Sequence, residues 1–202
     1  MVSDLLWALL LFAVVTLFTP GPNNAMLMTS GLNFGFRRGL PHLWGVALGF
    51  AVMVLAVGIG LGALFQAYPT AYTVLKYVGA IYLLYLAWQI ATSGPPEEDE
   101  AAGGRPITFL QGAAFQWLNP KGWVMAVGAV STYAAVAAFP NNVLLIAFLF
   151  GSLGILSSAT WLGFGTGLKR LLTSPRAVRT VNIAMALLLV ASLWPILGDL
   201  WR

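Results

Sequence analysis

Long apolar runs alternate along the chain with short stretches of proline, glycine and charge, and six of the runs approach or exceed the length of a membrane span. They cover 5–30, 40–65, 72–92, 107–133, 143–168 and 181–197, with Lys76 near the start of the third and Lys121 inside the fourth. A helix rises about 1.5 Å per residue and bilayer hydrocarbon is about 30 Å thick, so roughly 20 apolar residues cross it. Barrel strands need about 10 residues in strict alternation, which these runs lack. The pattern predicts an all-α, polytopic membrane protein with six transmembrane helices. GLNFGFRRG, QAYPTA, SGPPEEDEAAGGRP, AAFPNN and KRLLTSPRAVR form the predicted connections.

Composition points the same way. Apolar residues make up 59% and charged residues 8%, with a mean hydropathy of +0.86, whereas soluble domains are about 25% charged. No cysteine occurs, which excludes disulfides, thiolate metal sites and cysteine nucleophiles. The first basic residue is Arg37, so the first run lacks the positive flank of a signal peptide and reads as a retained helix. Arg37 and Arg38 lie in loop one, Arg105 in loop three, and Lys169, Arg170, Arg176 and Arg179 in loop five; loops two and four carry no charge. By the positive-inside rule the odd loops face the cytoplasm and both termini face outward, with Trp7, Tyr68, Tyr72, Tyr133 and Trp201 at the outer interface. The pI of about 9.7 thus reflects topology rather than nucleic-acid binding; the four basic residues of loop five read first as an orientation signal, with contact to anionic membrane lipid as the lesser alternative.

The acidic run Glu97, Glu98, Asp99 and Glu100, flanked by Pro95, Pro96, Gly103 and Gly104, reads as a solvated linker. It divides the chain into a first three-helix repeat (1–93), the linker (94–106) and a second repeat (107–202). Landmarks recur about one hundred positions apart: TPGPN at 19–23 and LNPKG at 118–122, Pro41 and Pro140, Gly45 and Gly151, and Gly58 with Gly62 against Gly163 with Gly167. Three spans per half make the second copy inverted. Inverted repeats with a broken helix at the same place in each are a plan of secondary transporters, whose substrate lies between the repeats.

Both breaks fall about halfway along their spans, so they are expected to meet near the bilayer midplane. Proline interrupts a helix, and irregular backbone at that depth survives only where protein or a wet cavity surrounds it. The segments after Pro22 and Pro120 begin there with free N–H groups and positive dipole ends, a setting for an anion. The candidate site comprises Pro20, Gly21, Pro22, Asn23, Asn24, Gln116, Asn119, Pro120 and Lys121. An asparagine amide offers donor and acceptor to a zwitterion, or else satisfies backbone freed by the prolines. A mid-span lysine costs about 2.5–3.5 kcal/mol and so faces the interior with a partner, or snorkels to an interface. Lys76 is expected to snorkel and His42 to sit at the interface. Gln111 and Gln116 flank the second break, and the paired glycines read as close helix contacts.

TPGPNN, GFRRG, GVALGF, YVGAIYLLYLAWQIATS and FLQGAAFQWLNPKG resemble the lysine exporter superfamily, in its homoserine and threonine resistance branch. LAWQIATS and NIAMALLLV are similar to the cysteine and O-acetylserine exporters within it. The resemblance spans nearly the whole chain. It implies a bacterial inner-membrane exporter of neutral amino acids or derivatives, driven by protons, with Pro20, Gly21, Pro22, Asn23, Asn119, Pro120 and Lys121 in its functional motifs. Many members of the superfamily it resembles carry an aspartate near the position held here by Phe50. Without it, Lys121 is the one ionisable residue expected near the midplane, and so the candidate proton exchanger. One histidine, no cysteine and no embedded carboxylate pair leave no catalytic set; neither an enzyme nor a cofactor is expected. A passive small-solute channel with paired half-helices is the alternative, and a homo-oligomer is left open.

Overall fold

The computed structural model describes residues 2–61, 67–92, 105–172 and 174–191, and every long element among them is a helix. We number these α1 (Val2–Phe18), α2 (Pro22–Ala56), α3 (Pro69–Thr92), α4 (Phe109–Leu118), α5 (Pro120–Thr132), α6 (Asn141–Leu171) and α7 (Pro175–Ala191). A π-helical turn, Val57–Leu61, closes α2, and a single 3₁₀ turn, Ala134–Val136, follows α5. The acidic run, Gly62, Asp199, Trp201 and Arg202 lie outside the described residues, as do the side chains of Lys76, Tyr72 and Arg170.

The first apolar run ends its first helix at Phe18 and resumes at Pro22, and the fourth run is split into α4 and α5 at Asn119. Both interruptions fall where proline withholds a backbone N–H. The expected loop GLNFGFRRG is different: it is helical on both sides of one residue, Gly35, whose φ of 78° suits glycine. The chain reverses there. Ser30 and His42 share a hydrogen bond of 2.9 Å between the hydroxyl and Nδ1, although twelve residues of unbroken helix would separate them by about 18 Å. Arg38 lies 5.8 Å from the Phe34 ring centroid across the same turn. α2 is therefore two antiparallel limbs, 22–34 and 36–56, and the first matches the 13 residues of α5 after the other break.

Glycine lets the backbones touch. A methyl at Gly31 would strike the Leu162 carbonyl and one at Gly165 the Met28 carbonyl, so limb 22–34 lies directly on α6. A methyl at Gly45 would meet the Phe109 carbonyl, and one at Gly49 would fall 2.6 Å from Ala113 Cα, which brings limb 36–56 onto α4. The glycine of α6 that meets limb 22–34 is thus Gly165, while Gly151 lies close to limb 36–56, where a methyl would fall 3.2 Å from Ala51 Cβ. Gly167, which the four-residue spacing singles out, has open space, and Gly163 makes only ordinary contact at 3.9 Å with Phe36. The physical reason is phase: only one side of α6 faces limb 22–34.

Phe50 and Phe12 stack edge-on against Phe150 at 5.6 and 6.2 Å, and a core of Leu9, Met53, Trp123 and Ile146 surrounds them. The outside is apolar as well. Trp7, Leu11, Trp88, Leu110, Val124 and Phe148 are all exposed, as a hydrocarbon surround would favour. Pro22–Gly60 and Asn141–Lys169 are long and apolar enough to cross a membrane, the former counted across its turn at Gly35.

Candidate binding cavity

The two breaks meet. Lys121, on the first turn of α5, donates from Nζ to the Thr19 carbonyl at 2.7 Å, joining residues 102 positions apart. Gly21 makes room for it, since a methyl there would fall 3.0 Å from Lys121 Cδ and 3.1 Å from Nζ. The Gly21 backbone is fully extended (φ −174°), a conformation open to any residue, so space and not backbone strain explains the glycine. One turn further along, Asn23 and Gln116 exchange both amide bonds, Asn23 Nδ2 to Gln116 Oε1 at 2.8 Å and Gln116 Nε2 to Asn23 Oδ1 at 3.1 Å. Gln116 also donates to the Gly112 carbonyl at 2.9 Å.

Backbone carbonyls left open by the two helix breaks find partners. Asn24 Nδ2 donates to the Leu17 carbonyl at 3.0 Å and the Thr19 carbonyl at 2.9 Å, and Ser157 Oγ donates to Leu17 at 2.8 Å. Trp123 Nε1 donates to the Trp117 carbonyl at 2.8 Å beside the second break. The N-termini differ. Asn119 Oδ1 caps α5 by accepting from the Lys121 N–H at 3.1 Å, whereas Gly21 offers limb 22–34 no side-chain cap. The first N–H groups of that limb therefore lack a capping side chain at its positive dipole end.

Around these groups lies a cavity of about 450 Å³ including its mouth. Gly21, Asn23, Asn24, Asn119 and Lys121 line it, together with Thr16, Ser157 and Ser158 as polar groups and Val46, Phe50 and Met125 as apolar wall. Residues 14–192 match the model of the LysE type translocator family. The chain belongs to that family. It is similar to the cysteine/O-acetylserine efflux proteins of Escherichia coli strain K12, Escherichia coli O9:H4 strain HS and Shigella sonnei strain Ss046, each 34% identical over 192 residues, 94% of this chain and 96% of the relative. No solved structure matches it. As a LysE type translocator the chain is a multi-pass membrane protein and not an enzyme.

In this translocator Pro20, Pro22 and Pro120 shape the breaks without lining the cavity, and Gln116 reaches it only through Asn23. Asn24 and Asn119 spend polar capacity on backbone, the second of the two roles open to them. Sequence reasoning missed Ser157 and Ser158, which α6 brings to the cavity nearly fully buried; two adjacent serines inside an apolar span were the signal. It also misplaced two residues. His42 is 0% exposed rather than interfacial, because the reversal at Gly35 folds limb 22–34 over it. Gln111 does not flank the break; it forms a capping box with Thr108 at the start of α4.

Proposed function

We propose that this LysE-family protein is a secondary active exporter of a small neutral amino acid or derivative, of the cysteine/O-acetylserine type. In this reading the chain makes six spans as two inverted repeats, 1–93 and 107–202, in a bacterial inner membrane with both termini outside. The observation that carries it is the 2.7 Å contact of Lys121 with Thr19 at the wall of the cavity. An ammonium has three donors, so two remain for a substrate carboxylate, which the uncapped N–H groups of limb 22–34 also attract. Asn23, Asn24 and the oxygens of Ser157 and Ser158 are suited to the substrate ammonium. Phe50, Met125 and Val46 bound the remaining volume and favour a short side chain. The relatives' efflux of cysteine and O-acetylserine supports that class. Gly31, Gly165, Gly45 and Gly49 bring backbones together beside limb 22–34 and α4, which favours alternating access over a standing pore.

Protons are the proposed coupling ion and Lys121 the residue that exchanges them. Counterflow of O-acetyl-L-serine in proteoliposomes, with and without a pH gradient, tests both. Wild type is expected to show saturable, gradient-driven flux. Lys121→Gln removes a charge-assisted contact and should lower affinity about tenfold or more while uncoupling flux from the gradient. Intact coupling in that variant rules the lysine out, and linear, non-saturating flux in wild type overturns the exporter.

A further inference from the structure

A second hollow, about 340 Å³ with its mouth, lies toward the Gly35 end of limb 22–34. Along the limb the lining passes from Asn23 and Asn24 in the first cavity to Thr29, Ser30 and Asn33 in this one. Asn23 and Asn33 are ten residues apart, about 15 Å along a helix, so the two are separate sites. Phe34, Leu86 and Ile90 form its apolar wall, and Arg105 borders it just before α4.

Asn33 is 1% exposed and fixed at two points. Its backbone carbonyl accepts from Lys169 Nζ at 3.3 Å and its Oδ1 accepts from Asn182 Nδ2 at 3.1 Å. Its Nδ2 is buried with no acceptor among the described residues. A buried amide donor without a partner is costly, and a ligand oxygen would complete it. Arg105 adds a guanidinium whose fork matches a carboxylate, and among the described residues no acidic side chain lines the hollow. One cation, one unsatisfied donor and an apolar wall describe a receptor for a small carboxylate with a modest side chain.

The geometry points to this hollow as a second binding site for an amino-acid carboxylate, held by Arg105 and Asn33. It deepens the exporter reading and rests on it for direction: the Gly35 turn carries Arg37 and Arg38, the proposed cytoplasmic side, so this site receives substrate before the central cavity does. A lipid phosphodiester offers similar oxygens, and the test separates the two.

Equilibrium binding of radiolabelled O-acetyl-L-serine is measured on the full chain in phosphatidylcholine nanodiscs, then with phosphatidylglycerol added. Wild type is expected to bind two molecules per chain in both lipids, and Arg105→Gln one. At a ligand concentration that fills the wild-type sites but lies below the weakened affinity of the central site, Lys121→Gln should also bind one, and the double variant none. Because Arg105 is exposed, its loss leaves the fold intact; Asn33→Asp, which places a like charge in the hollow, should repeat the loss. A single molecule bound by wild type, abolished in Lys121→Gln and kept in Arg105→Gln, overturns the second site and spares the exporter. Loss of the Arg105-dependent molecule on adding phosphatidylglycerol assigns the hollow to lipid instead. Two bound molecules without any export defeat the exporter reading and leave the second site standing.

Discussion

Replacing Gln116 with leucine keeps most of its buried volume but deletes three hydrogen bonds, two to Asn23 and one to the Gly112 carbonyl. Interhelical hydrogen bonds within membranes contribute about 0.6 kcal/mol on average and at most about 1.7, so the two bridging bonds together are worth about 1–2 kcal/mol. The unpaired Asn23 amide limits the loss by turning to the cavity that it lines. A chain of this size loses about 2–4 °C of Tm per kcal/mol, which predicts a fall of about 2–8 °C. A double-mutant cycle of Asn23→Ala, Gln116→Leu and the pair, read by thermal unfolding in detergent, isolates the bridge. The double variant should be less damaged than the sum of the singles by about 1–2 kcal/mol, because the second change removes a partner already lost. Its export should stay impaired even so, since the cavity has lost Asn23. Additivity within about 0.5 kcal/mol would refute the claim that this pair joins the first limb to α4.

Two further outcomes test the packing and the orientation. Gly165→Ala drives a methyl into the Met28 carbonyl and should cost about 1–3 kcal/mol, whereas Gly167→Ala, facing open space, should leave thermal stability within about 0.5 kcal/mol; equal effects of the two in the same melting assay would remove the backbone contact from the account. The cysteine-free chain allows clean labelling, and with loop four outside, Asn141→Cys should react with a membrane-impermeant maleimide in intact cells while Arg38→Cys reacts only after lysis; the reverse pattern inverts the proposed topology.

The breaks after Phe18 and at Asn119 were legible because proline acts on its own helix, and no distant partner is needed to place them. The membrane class was legible for a similar reason, since transfer into hydrocarbon sums over consecutive residues. The pairing of Asn23 with Gln116 was not, because an asparagine reads the same whether it binds a ligand, a carbonyl or another amide. Nor was Gly165: spacing marks glycines at 163 and 167, and only the rotation of α6 says which residue faces a neighbour.

What the amino-acid order settled by itself is therefore the local and the additive: an all-helical apolar chain, its class, and two helices broken at prolines. The tertiary structure alone decided which side chains converge. Lys121 reaches Thr19, Ser157 reaches Leu17, and His42 is sealed against Ser30. Each of these bonds depends on chain reversals and helix rotations that are set by backbone contacts between distant segments, and such contacts leave no periodic mark on the sequence of either partner.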